Sequence, residues 1–124
     1  MRKNIFLIII VSLFYLYADP EPPKITVLHP NGGEIFYTDS TVNIKWTFPV
    51  KNGENNKLVI LLYKDGIKLK TLTFSTENTG IFPWNISSNI PNGDKYRIRI
   101  RLEKDLSVND FSDNDFIIKK REDR

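Results

Sequence analysis

Arg97, Arg99 and Arg101, three arginines at every second position, hold the most concentrated binding chemistry in the chain. On an extended strand, residues two apart project from one face at intervals of about 6.5–7 Å. A guanidinium is a planar fork of donors that grips carboxylate or phosphate bidentately. This ladder is therefore a candidate ligand face for an anionic envelope glycan or an acidic protein surface. The plainer alternative is a solvated face, with arginine stems lying over apolar surface and heads in water. Asp110, Ser112, Asp113, Asn114 and Asp115 place five oxygen-bearing side chains within six residues, a composition that suits calcium. They lack the central glycine and closing glutamate of an EF-hand loop, so no metal site is assigned. They read instead as a polar turn and a charged entry to an edge strand, a device that deters sheet-to-sheet pairing. Asn85-Ile86-Ser87 is a glycosylation sequon, with Asn85 on the expected outer face of its strand.

Other chemistry is short of parts. There is no cysteine, which removes disulfides, thiolate metal sites and cysteine nucleophiles. The single histidine, His29, leaves no Ser-His dyad with a spare and no multi-histidine zinc set. Carboxylates are scattered rather than set in a pocket context, so no catalytic residue and no cofactor is assigned. Gly32-Gly33 reads as a turn needing positive φ, since nothing nearby has the strand–loop–helix setting of a phosphate cradle. Eighteen Lys+Arg against 15 Asp+Glu give a net charge of +3, too mild and mixed for a nucleic-acid binder.

The elements that carry these residues are strands. Val42, Ile44 and Trp46 alternate with polar neighbours, as do Phe82, Trp84 and Ile86, and Tyr96, Ile98, Ile100 and Leu102. A period of two puts one face in a core and the other in water. Beyond residue 18 there is no alanine, whereas β-branched residues are abundant, which disfavours helix. Turn signals at 30–33, 52–56, 65–66, 78–80, 91–94 and 109–115 divide the chain into seven strands. Asp65-Gly66 is the clearest hairpin among them. The stretch 57–64 is apolar on both sides, which fits either a central strand or one whose outer face a partner covers. Trp46 and Trp84 are expected in the core. Tyr96, after Pro91-Asn92-Gly93-Asp94 at the start of a strand, is expected to form a tyrosine corner. The fold class is all-β: one seven-stranded antiparallel sandwich of the immunoglobulin or fibronectin-III kind.

Residues 1–18 are set apart from that fold. A short basic start is followed by an apolar run over 5–18 that only Ser12 interrupts. Such a run is short of the roughly 20 residues that span a bilayer and normal for a signal peptide cut after Ala18. An uncleaved signal anchor is the alternative, and it alone would bring the membrane in as a partner. Either way the domain is exported, to a secreted, cell-surface or periplasmic location. The expected organisation is a signal segment over 1–18, an extended Pro-rich lead over 19–23, the sandwich over 24–118 and a charged tail over 119–124.

PNGGE (30–34), STVNIKW (40–46), LVILLYKDG (58–66), NTGIFPWNI (78–86), IPNGDKYRIRI (90–100) and FSDNDFII (111–118) follow one another in that order. Together they resemble the immunoglobulin-like domain of the Ser/Thr-rich, glycosylphosphatidylinositol-anchored fungal wall proteins. That family is related to fungal proteins of β-1,6-glucan synthesis, and similar domains occur in exported bacterial and archaeal proteins. The resemblance spans 24–118 and implies the fold, with no catalytic residues to carry over. There is no Ser/Thr-rich tail, and the charged residues 119–124 are no anchor signal, so lipid anchoring and glucan synthesis are not implied. The expected function is a non-catalytic binding or adhesion module at the cell surface. A small enzyme acting on wall polysaccharide, or an accessory subunit of one, and a structural spacer are the alternatives.

Overall fold

The computed structural model describes residues 21–122, so the expected signal segment over 1–18 lies outside the described residues. Nine strands form: β1 Thr26–His29, β2 Ile35–Tyr37, β3 Thr41–Thr47, β4 Leu58–Lys64, β5 Ile67–Thr76, β6 Ile81–Asn85, β7 Gly93–Leu102, β8 Asn109–Phe111 and β9 Phe116–Lys119. Among the described residues a single 3-10 turn, Glu54–Asn56, is the helical structure between the strands, and no described helix is long and apolar enough to cross a membrane. Alternation makes the strands. Along β3, Val42, Ile44 and Trp46 are buried while Thr41, Asn43, Lys45 and Thr47 are exposed.

The strands build two sheets. One is three-stranded in the order β1-β3-β6, and the other runs β2-β9-β7-β4-β5 with β8 added beside β7. Their facing sides meet in one core, which includes Ile44, Trp46 and Trp84 from the smaller sheet and Ile60, Ile98 and Phe116 from the larger. Both tryptophans lie there as expected, 2% and 5% exposed.

Two expectations about strands are corrected. Among the described residues there are nine rather than seven, because β2 and β8 have three residues each, too few for alternation to register. The sandwich is also not wholly antiparallel, since β2 pairs in parallel with β9. The leading segment starts in the smaller sheet as β1, crosses over at 30–34 and continues in the larger sheet as β2. That crossing brings β2, near the start of the described domain, beside its last strand β9. Strand β9 is consequently no edge strand, because it lies between β2 and β7.

The apolar stretch 57–64 resolves as the central strand β4, hydrogen-bonded to β5 on one side and β7 on the other. Its outward residues Val59 and Leu61 are nearly as buried as its inward ones. Directly across the ladder from them stand Arg101 and Arg99, whose aliphatic stems share the same face of the sheet.

The expected tyrosine corner forms. The Tyr96 hydroxyl donates to the Pro91 carbonyl, and the ring stacks on Phe116 at 6.0 Å. Burial, with Asp65 adding a smaller contribution, pushes its phenol up to about 12. The expected tail is tied down at its start, since Lys119 belongs to β9 and the Arg121 amide donates to the Thr38 hydroxyl at 2.9 Å.

Candidate functional site

Strand β7 alternates strictly after its tyrosine corner. Tyr96, Ile98 and Ile100 point into the core and are fully buried, which turns Arg97, Arg99 and Arg101 to the outer face. Continuing the alternation backwards adds Lys95, which the sequence reading left out. A row of four cations about 20 Å long results. The register i, i+2 was already visible; Lys95 is hidden in sequence by the turn it borders.

The three arginines are held differently. Arg97 donates from Nε to Asp115 Oδ1 at 2.8 Å and from Nη1 to the Ser112 carbonyl. Arg99 donates to Asn109 Oδ1 and to the Tyr63 hydroxyl at 3.0 Å, with its guanidinium 5.2 Å from the Phe111 ring centre. Arg101 donates to the backbone carbonyls of Leu102 and Glu103. Among the described residues, Arg97–Asp115 is the one ion pair in the row.

At the Lys95 end, the face sinks into a cleft of about 460 Å³. Tyr63 and Phe111, packed edge to face at 5.0 Å, form its apolar wall. Lys95, Arg97, Asp65 and Asp115 surround it. The Asp65-Gly66 turn gives the rim its shape, with φ of 53° and 79° and the Asp65 amide donating to the Lys95 carbonyl at 2.9 Å. The Lys64 ammonium, 2.8 Å from Asp65 Oδ2, holds that carboxyl below its usual range.

The acidic run serves a different end. Asp110 accepts the Val27 amide at 2.8 Å. The buried Ser112 hydroxyl donates to the Pro30 carbonyl at 2.7 Å and accepts the Ile98 amide. Asp113 and Asn31 exchange two hydrogen bonds, the Asn114 amide donates to the Asn31 carbonyl, and the Gly33 amide donates to the Asp115 carbonyl. Within the turn, the Glu34 carboxylate accepts the amides of Asn31 and Gly32, and His29 Nδ1 lies 3.4 Å from it. The run and the 30–34 crossing thus form one clasp. This corrects the reading of the run as an edge-strand entry. Among the described residues no three His, Asp or Glu side chains gather as a metal set.

Asn85 closes β6 on the outer face of the smaller sheet, exposed, with its amide 3.4 Å from the Thr41 hydroxyl. Its sequon is therefore accessible, and it lies on the opposite sheet from the basic row.

The clasp and the strands between its halves coincide with a known sequence profile. Residues 29–115, more than half of the chain, match the Kre9/KNH-like N-terminal Ig-like domain. The chain belongs to this family. The match begins at His29, beside Glu34, and ends at Asp115, beside Arg97, so it encloses the clasp from end to end. The family is a cell-wall-associated one. No curated protein and no solved structure matches the chain.

Proposed function

We propose that this domain is an exported, non-catalytic binding or adhesion module of the cell surface. It meets an anionic envelope glycan or an acidic protein surface through the outer face of β7, where Arg97, Arg99 and Arg101 lie. What supports this reading is the charge imbalance of that face: four cations in a row with Asp115 as the one carboxylate in an ion pair with them among the described residues. Like charges aligned on a strand repel one another, and an anionic partner relieves that repulsion. Membership of a wall-associated family supports a location outside the cell.

Replacing all three arginines with Gln tests the proposal. The parent protein is expected to be retained on isolated envelopes and anionic glycans at low salt and to release towards physiological salt, because exposed charges are screened. The triple variant is expected to lose most of the retention while keeping its circular dichroism spectrum. Equal, salt-insensitive retention of both proteins overturns the binding face. Release of reducing sugar from glucan or peptidoglycan overturns the non-catalytic reading.

A further inference from the structure

The cleft at the Lys95 end of the row differs chemically from the rest of the face, and its charge can be counted. Asp115 is paired with Arg97 and Asp65 with Lys64. Lys95 is the lining cation left without a carboxylate in salt-bridge range among the described residues. Arg97 has spent Nε and Nη1 on Asp115 and Ser112, which leaves Nη2 without a hydrogen-bond partner among the described residues. With Lys64 counted, the charged groups at the cleft sum to one net positive charge, with guanidinium donors beside it.

Its acceptors matter equally. The Asp65 and Asp115 carboxylates are strong acceptors for hydroxyl donors, so they favour an anion that carries hydroxyls over one with acceptor oxygens alone. Tyr63 and Phe111 supply an apolar wall suited to the C–H surface of a ring. The volume of about 460 Å³ falls in the range of roughly 300–1,000 Å³ typical of small-ligand sites.

Resting on the binding-module reading above, we propose that this cleft is a subsite for a uronic-acid residue of an acidic polysaccharide. The sugar carboxylate meets Lys95 and Arg97, ring hydroxyls donate to Asp65 and Asp115, and the ring lies against Tyr63 and Phe111. Linear polyphosphate, with one charge per internal phosphate and no hydroxyl to donate, sets only acceptor oxygens against the same two carboxylates, which separates the cleft from a merely basic surface.

The experiment titrates the purified protein with oligogalacturonate, linear polyphosphate and a neutral β-glucan oligosaccharide, following backbone amides by NMR. Lys95→Gln is compared with Lys45→Gln, which removes the same charge from the outer face of the smaller sheet. Asp65→Asn removes a cleft carboxylate yet suits the positive φ of the turn. Oligogalacturonate is expected to shift amides of 63–66, 95–97 and 111–115. Lys95→Gln is expected to weaken that binding about tenfold, and Lys45→Gln less than about twofold. Asp65→Asn is expected to raise polyphosphate affinity and so narrow the preference for galacturonate. Polyphosphate binding tighter than galacturonate in the parent, or equal losses in the two lysine variants, overturns the cleft while leaving the basic face standing. Failure of both polyanions to bind overturns the glycan reading of the basic face and the cleft with it.

Discussion

Gly32 and Asn114 meet so closely that a Cβ built on the glycine would stand 2.6 Å from the asparagine Cβ. No real pair of side chains tolerates that distance. The contact joins the crossing turn to the loop before β9, and Gly32 also holds a φ of 141°. Both the space and the backbone conformation therefore require glycine there.

Gly32→Ala is accordingly expected to destabilise the domain by about 1–3 kcal/mol, the usual cost of strained backbone plus a forced displacement. Urea unfolding measures it. Gly33→Ala provides the contrast, since a Cβ there meets nothing within 4 Å and only its φ of 81° is strained. A smaller loss than at Gly32 is expected.

Trp46→Ala is expected to cost about 3–5 kcal/mol, a large part of the stability of a domain with no disulfide. The ring is 2% exposed, and its Nε1 donates to Asn78 Oδ1 at 2.9 Å. The Asn78 amide in turn donates to the carbonyls of Phe48 and Val50. Phe74→Ala, at a ring 77% exposed, is expected to change stability by less than about 0.5 kcal/mol. Thermal unfolding of both variants checks the pair. Ready quenching of Trp46 fluorescence by iodide would contradict its burial.

Tyr96 predicts an alkaline weakness. Its phenol is raised to about 12 in the folded domain from 10.0, so the unfolded chain releases this proton first as pH rises. Its contribution to stability is thus complete below about pH 10 and is lost as pH rises towards 12. Tyr96→Phe removes that step from the curve of stability against pH. It also lowers stability at neutral pH by about 1–2 kcal/mol, because the Pro91 carbonyl loses its donor.

Arg99 is expected to matter for the fold more than its neighbours. Arg99→Ala removes the contact with Phe111, the bonds to Asn109 and Tyr63, and the aliphatic stem across the ladder from Leu61. A loss of about 1–2 kcal/mol is expected, with Arg99→Met recovering the part due to that stem. Arg97→Gln breaks a half-exposed ion pair and is expected to cost about 0.2–1 kcal/mol. Chemical unfolding ranks the three.

In a host that glycosylates Asn-X-Ser sequons, the accessible Asn85 is expected to carry a glycan, visible as added intact mass. Asn85→Gln should abolish the increment and leave the melting temperature unchanged. The glycan should also leave binding at the basic row unaltered, because it sits on the other sheet.

What the sequence by itself determined here is what short-range periodicity encodes. Alternation around Trp46, Trp84 and Ile98 specifies which side of each strand is buried, and Asp65-Gly66 specifies a tight hairpin. Pro91 and Tyr96, five residues apart, make the tyrosine corner legible because both halves of the bond are local. The same alternation set the three arginines outward.

Only the tertiary structure decided what those outward residues touch. Asn31 and Asp113 lie 82 positions apart, as do Pro30 and Ser112, so nothing local marks the clasp that joins them. The acidic run looks the same in sequence whatever its side chains touch; its partners across the crossing come from the far side of the fold. Strand β2 is likewise invisible locally, because three residues acquire strand geometry from a parallel neighbour at the far end of the chain. Arg97, Arg99 and Arg101 are equivalent as sequence and different as structure, since Asp115, Phe111 and the Leu102 carbonyl reach them from distinct elements. Periodicity reports a side chain's direction, which is a property of its own backbone. Its partners are a property of strand order, which forms only when distant segments pack.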